Sequence, residues 1–67
     1  MQPTIAFIGT GNMARAILEG LLSDGYPAAS IWATRRQVEM LSDLAEAGVN
    51  TTSDNSAAIA AADVVVM

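Results

Sequence analysis

Apolar residues along this chain alternate between two patterns: short runs, and stretches with helical spacing. Ile5-Ala6-Phe7-Ile8, Ile31-Trp32-Ala33-Thr34 and Val64-Val65-Val66-Met67 are apolar runs of strand length. Val49-Asn50-Thr51-Thr52 is a weaker one, resting on its β-branched residues. Between the first two runs, Ala14, Ile17, Leu18, Leu21 and Leu22 share one helical face. They predict a first helix from residue 11 or 12 to residue 23, stopped by Asp24-Gly25 with Pro27 just beyond. After the Ala28-Ala29-Ser30 connection and the second strand, Val38, Leu41, Leu44 and Ala45 predict a second helix over residues 36–47. Gly48 ends it. An Ala-rich stretch predicts a third helix over residues 55–62, which Ser53 and Asp54 can cap by accepting its first amide hydrogens. The last run is almost wholly apolar, which implies burial on both faces.

The order is therefore β-α-β-α-β-α-β. Right-handed crossovers convert it into a parallel sheet, most simply in the order 3-2-1-4. Arg15 and Glu19 stand four apart on the outer face of the first helix and can pair there. Gly20 costs that helix about 1 kcal/mol relative to Ala; either a close helix–sheet contact or a tolerated defect accounts for it.

The turn after the first strand carries the candidate chemistry. It reads Gly9-Thr10-Gly11-Asn12-Met13-Ala14 and runs straight into a helix. Gly9 allows a sharp departure from the strand, with torsions that a Cβ opposes. Gly11 removes a side chain where a pyrophosphate must approach the backbone, and Ala14 keeps helix and strand close. The first amides of the helix lack internal partners, and its dipole favours an anion at that end. A glycine turn without a ligand has the same spacing, but the strand before it and the helix after it favour dinucleotide binding. The fold class is then α/β, a Rossmann-type doubly wound parallel sheet. Residues 1–67 form one mononucleotide-binding half and the first strand of the next, a partial domain expected to belong to a longer protein.

The second strand bears on which dinucleotide. NAD sites usually place an Asp or Glu there, about 20 residues past the turn. Here the window is Ser30-Ile31-Trp32-Ala33-Thr34-Arg35-Arg36, with no carboxylate. A guanidinium holds a phosphate through paired, charge-assisted hydrogen bonds, so Thr34, Arg35 and Arg36 suit the 2′-phosphate of NADP. Arg35 is expected to carry the larger share. The alternative is a solvated arginine pair at the start of the second helix. Two of the three cations of the chain fall in this window, and cations at a helix N-terminus oppose the dipole unless a phosphate joins them. NADPH is thus expected before NADH.

Composition removes other classes. The net charge is −4 and the cations are Arg15, Arg35 and Arg36 alone, too few on one face to neutralise a nucleic-acid backbone. Phe7, Tyr26 and Trp32 are the only aromatic residues, a poor base-stacking platform. There is no Cys, His or Lys, which removes disulfides, the commonest metal ligands and the nucleophile–His arrangements of covalent catalysis. No apolar stretch approaches bilayer length, no basic leader with a cleavage site opens the chain, and a cytoplasmic location is expected. At 67 residues, a domain of this size buries only about 60% of its unfolded surface, so its stability is marginal.

The chain resembles the N-terminal domain of the pyrroline-5-carboxylate reductases. The likeness rests on residues 5–14, on Ala16-Ile17 with Gly20-Leu21, and on Ile31-Trp32. It continues through Gly48-Val49, Ser53-Asp54-Asn55 and Ala62-Asp63-Val64-Val65. The Phe-Ile-Gly-x-Gly-Asn-Met run is fairly specific to that family; hydroxyacid dehydrogenases more often show Gly-Leu-Gly-x-Met-Gly. The resemblance implies that Ile8, Gly9, Thr10, Gly11, Asn12 and Met13 wrap the pyrophosphate. It implies that Thr34, Arg35 and Arg36 face the 2′-phosphate, and that Asn55 reaches the cofactor from the third helix. By itself Asn55 reads only as a capping or first-turn residue. The implied reaction is hydride transfer from NADPH to a cyclic imine, yielding proline. Catalytic and substrate residues, and the helical domain through which the family forms homo-oligomers, are expected beyond Met67. A 6-phosphogluconate or β-hydroxyacid dehydrogenase type of oxidoreductase and a non-catalytic NADPH-sensing module are the rival readings. No nucleic-acid or membrane partner is expected.

Overall fold

The structure, a computed structural model, describes residues 2–67. The strands are β1 (Ile5–Phe7), β2 (Ile31–Thr34), β3 (Asn50–Thr52) and β4 (Val64–Val66). The helices are α1 (Asn12–Ser23), α2 (Ser42–Glu46) and α3 (Asn55–Ala61), with single 3₁₀ turns at Ala28–Ser30 and Val38–Leu41. All pairings are parallel and the sheet order is β3-β2-β1-β4, as the alternation of patterns predicts. Ile5 stands opposite Ile31 on one side and Val64 on the other.

Both faces of β1 are used. Phe7 joins Leu18 of α1, Leu41, Leu44 of α2, Val49, and Ile31 and Ala33 of β2 in one buried cluster. Ala6 points the other way by strand alternation and is fully buried, as is Ala58 of α3, which lies against β1 and β2. At the opposite end of the sheet, the Thr4 amide donates to the Asp63 carboxylate at 2.9 Å, while the Asp63 amide donates to the Thr4 carbonyl at 2.8 Å. This reciprocal clasp sets the register of β1 against β4.

Several expectations from the sequence need correction. The second helix does not begin at residue 36; a 3₁₀ turn opens at Val38 and α2 itself at Ser42, so Arg36 and Gln37 lie on an irregular bend. Ala45 is exposed there. Ile17 is 51% exposed. Among the described residues β4 is the edge strand, with Val64 45% and Val65 38% exposed. A Cβ on Gly20 meets nothing within 4 Å, so no close helix–sheet contact explains that glycine. Arg15 pairs more closely with Asp43, at 2.6 Å, than with Glu19, at 3.9 Å, and so ties α1 to α2. The third helix is capped by Asp54 alone, whose carboxylate accepts from the Ser56 and Ala57 amides at 2.9 and 3.3 Å.

That cap gives a first prediction. Asp54→Ala leaves two helix-end amides without this acceptor and lowers stability by about 1 kcal/mol. Urea unfolding is expected to show a lower midpoint at an unchanged slope. An unaltered midpoint contradicts the capping role.

Candidate functional site

The carboxyl ends of all four strands lie on one edge of the sheet, and every candidate residue ends or follows one of them. β1 is the point at which the strand order reverses, with β2 and β3 to one side and β4 to the other. Open parallel sheets leave a crevice there. A cleft of about 370 Å³ occupies it, lined by Ile8, Gly9, residues 11–14, Ile17, Val66 and Met67.

The turn at its floor divides into an inward and an outward part. Gly9 has φ +67°, a left-handed torsion that a side chain opposes, although a Cβ there meets nothing within 4 Å. Thr10 turns inward. It is buried, its hydroxyl donates to the Phe7 carbonyl at 3.0 Å, and its amide donates to the Thr34 carbonyl at 2.7 Å. The Ile8 amide donates to the Val66 carbonyl at 2.9 Å, which joins the turn to β4. Gly11 begins the outward part. Its torsions, φ −98° and ψ −163°, are extended and open to any residue, and an added Cβ comes no nearer than 4.0 Å to Gly9 O. Neither torsion nor crowding inside the protein selects glycine at this position. Past it, the amides of Gly11, Asn12, Met13 and Ala14 donate to no acceptor among the described residues. The first turn of α1 carries no acidic residue and Gly11 offers no capping side chain. Such a helix start, beside an open cleft, can receive an anion and fits a pyrophosphate.

The second group of candidates separates by burial. Thr34 is 0% exposed, and its hydroxyl accepts from the Gly9 amide at 3.0 Å. Arg35 is half-buried; its backbone amide donates to the Thr52 carbonyl at 3.3 Å and its Nη1 to the Thr10 carbonyl at 3.2 Å. Arg36 is exposed on the bend that follows and makes no ion pair among the described residues. Because α2 starts only at Ser42, neither arginine stands at a helix N-terminus, and no dipole penalty acts on them. Asn55 is exposed as the first residue of α3. The capping role falls to Asp54, so the Asn55 side chain is free of that duty.

Ile8, Gly9, Gly11, Asn12 and Met13 thus line the cleft, Thr10 and Thr34 stand behind the turn, and Arg35 joins the two groups. Ile17, Val66 and Met67 also line it. The sequence reading treated them as core because an apolar pattern does not distinguish a core side from a cleft wall. Among the described residues there is no cluster of acidic, His or Cys side chains able to hold a metal ion, and no helix is long and apolar enough to cross a membrane.

Comparison with known proteins gives concordant results. The family described as NADP oxidoreductase, coenzyme F420-dependent, matches residues 4–67. The pyrroline-5-carboxylate reductase of Vibrio alginolyticus is 52% identical over 67 residues, covering 94% of this chain and 24% of that protein. Its counterpart in Pseudomonas aeruginosa is 44% identical over 66 residues, covering 97% and 24%. A solved pyrroline-5-carboxylate reductase from Coxiella burnetii matches with a TM-score of 0.88 at 45% identity, over 94% of this chain and 24% of that one. The chain therefore spans about a quarter of the length of the curated relatives it matches.

Proposed function

The chain belongs to the NADP oxidoreductase, coenzyme F420-dependent family, and from that membership we propose that it is the NADPH-binding part of a pyrroline-5-carboxylate reductase. In this reading residues 1–67 are the first portion of a dinucleotide-binding domain in a longer, cytoplasmic protein. A helical domain after Met67 supplies the pocket for the cyclic imine and the contact between subunits. The observation that carries the reading is the open space at Gly11, beside amides with no internal acceptor, at the reversal point of a parallel sheet. The 43–52% identity to named reductases supports the choice of substrate.

When bound, NADPH supplies the hydride that the C=N carbon of 1-pyrroline-5-carboxylate accepts in becoming proline. The residues of this chain bind and orient. Gly11, Asn12 and Met13 offer backbone amides to the pyrophosphate, and Gly9 shapes the turn that presents them. Ile8 forms the floor on the β4 side. Asn55 extends toward the cofactor from the start of α3. Preference for NADPH over NADH is supported by the exposed guanidinium of Arg36 and by the lack of a carboxylate at the end of β2. A protonated imine accepts hydride without a proton donor, so a chain lacking His, Cys and Lys is consistent with this part of the reaction.

The test is consumption of NADPH by the full-length protein in the presence of 1-pyrroline-5-carboxylate, with proline measured as product. We expect proline to form in step with NADPH loss. Reduction of a β-oxo acid by NADPH, or oxidation of a β-hydroxyacid by NADP+, with no turnover of the imine transfers the protein to the hydroxyacid dehydrogenases. Binding of NADPH without turnover of either substrate makes it a sensing module.

A further inference from the structure

We propose that the end of β2 divides its work: Thr34 and Arg35 hold the glycine turn in its binding shape for either dinucleotide, and Arg36 supplies the discrimination for a 2′-phosphate. The inference rests on the dinucleotide reading above and reverses the order of importance that the sequence suggests for the two arginines.

Three hydrogen bonds join residues 34–35 to residues 9–10. The Gly9 amide donates to the Thr34 hydroxyl at 3.0 Å, the Thr10 amide to the Thr34 carbonyl at 2.7 Å, and Arg35 Nη1 to the Thr10 carbonyl at 3.2 Å. Thr34 is fully buried, so its hydroxyl touches no ligand in the cleft; its function is to fix the torsions of the turn from behind. Arg35 grips the carbonyl immediately before Gly11, the residue whose open space receives the pyrophosphate. A guanidinium on that carbonyl is a charge-assisted bond and also brings positive charge to the turn. NADPH and NADH share the pyrophosphate, so both depend on it. Arg36 differs in exposure and in its contacts. It is exposed, makes no hydrogen bond to the turn, and follows the strand end at which such folds read the ribose 2′ position. Its fork is available for a phosphate that only NADPH carries.

The test is titration of full-length wild type, Arg35→Ala, Arg35→Lys and Arg36→Ala with NADPH and with NADH, at two salt concentrations, with a thermal midpoint for each. Arg35→Ala is expected to weaken both dinucleotides by a common factor of about three to ten, the loss of one hydrogen bond at the turn. Arg35→Lys, which keeps a cationic donor, is expected to recover part of that loss for both. Arg36→Ala is expected to weaken NADPH by about tenfold, leave NADH unchanged and flatten the salt dependence of NADPH binding. An Arg35→Ala loss confined to NADPH overturns the proposal. So does an Arg36→Ala loss that falls on both dinucleotides or on neither. A lower midpoint for Arg35→Ala with unchanged affinities reduces Arg35 to a structural residue and also overturns it. Wild type that binds neither dinucleotide refutes the underlying site reading. Wild type that binds both, with variants split the other way, refutes only the division of labour.

Discussion

Gly11→Val in the full-length protein is expected to weaken NADPH and NADH alike by about 100-fold while the fold survives. The reason lies in where the new side chain goes. The protein itself accommodates it: the nearest atom to a Cβ is 4.0 Å away, and extended torsions suit a β-branched residue. The methyl groups then occupy the space in front of the outward amides. A pyrophosphate displaced from there forfeits one or two hydrogen bonds to a charged group, each worth roughly 1.5–3 kcal/mol, and about 3 kcal/mol in total corresponds to the stated factor. Valine is also a poorer N-cap than glycine, which costs α1 a fraction of a kcal/mol. Parallel titrations and a thermal melt separate the two effects. Unchanged affinity for both dinucleotides removes Gly11 from the site.

Phe7→Ala is expected to act in the opposite way, on stability first and on binding only as a consequence. Phe7 is 1% exposed and belongs to the central strand, opposite Ala33 on one side and Val66 on the other. Leu18, Ile31, Leu41 and Leu44 surround it in the core. Truncation removes the ring from a cluster fixed by three strands and two layers, which resists collapse into the gap. The expected loss is about 3–5 kcal/mol. Native proteins hold only about 5–15 kcal/mol in total, so the unfolded fraction becomes measurable in mild denaturant. Saturating dinucleotide recovers part of the loss, because it binds only the folded form. A destabilisation below about 1 kcal/mol in denaturant titration means that Phe7 is not the centre of this core.

The sheet was legible because each element carries its own periodicity and the connections allow few orders. β2 falls on Ile31–Thr34, as the run of apolar and β-branched residues indicates, and Gly9 has the positive φ that its place after a strand suggests. The start of α2 was not legible. Val38, Leu41 and Leu44 satisfy an i+3 spacing as well as a 3.6-residue one, so four residues of 3₁₀ geometry leave no separate trace. Gln37, moreover, is not a capping residue that marks a boundary. The clamp of Thr10 and Thr34 was hidden for a different reason: its partners lie about 25 residues apart, and nothing local to either threonine points to the other. Exposure of Ile17 and β4 depends on which layers surround them, a property of the assembly and not of the residues themselves.

The placement of β1 in the middle of the sheet sets a timetable. Ile5 waits for Ile31, 26 positions later, and for Val64, 59 positions later. Doubling a loop adds only about 0.6 kcal/mol of closure entropy, so the second wait is not a thermodynamic burden. It is a matter of synthesis. At about 5–20 residues per second, β4 leaves the ribosome roughly two to seven seconds after β2. For that interval the strand that ends at the centre of the sheet is an unpaired edge on a nascent chain, open to any other strand that meets it. The Thr4–Asp63 clasp closes the opening, and it is completed only when nearly all of the 67 residues have been made.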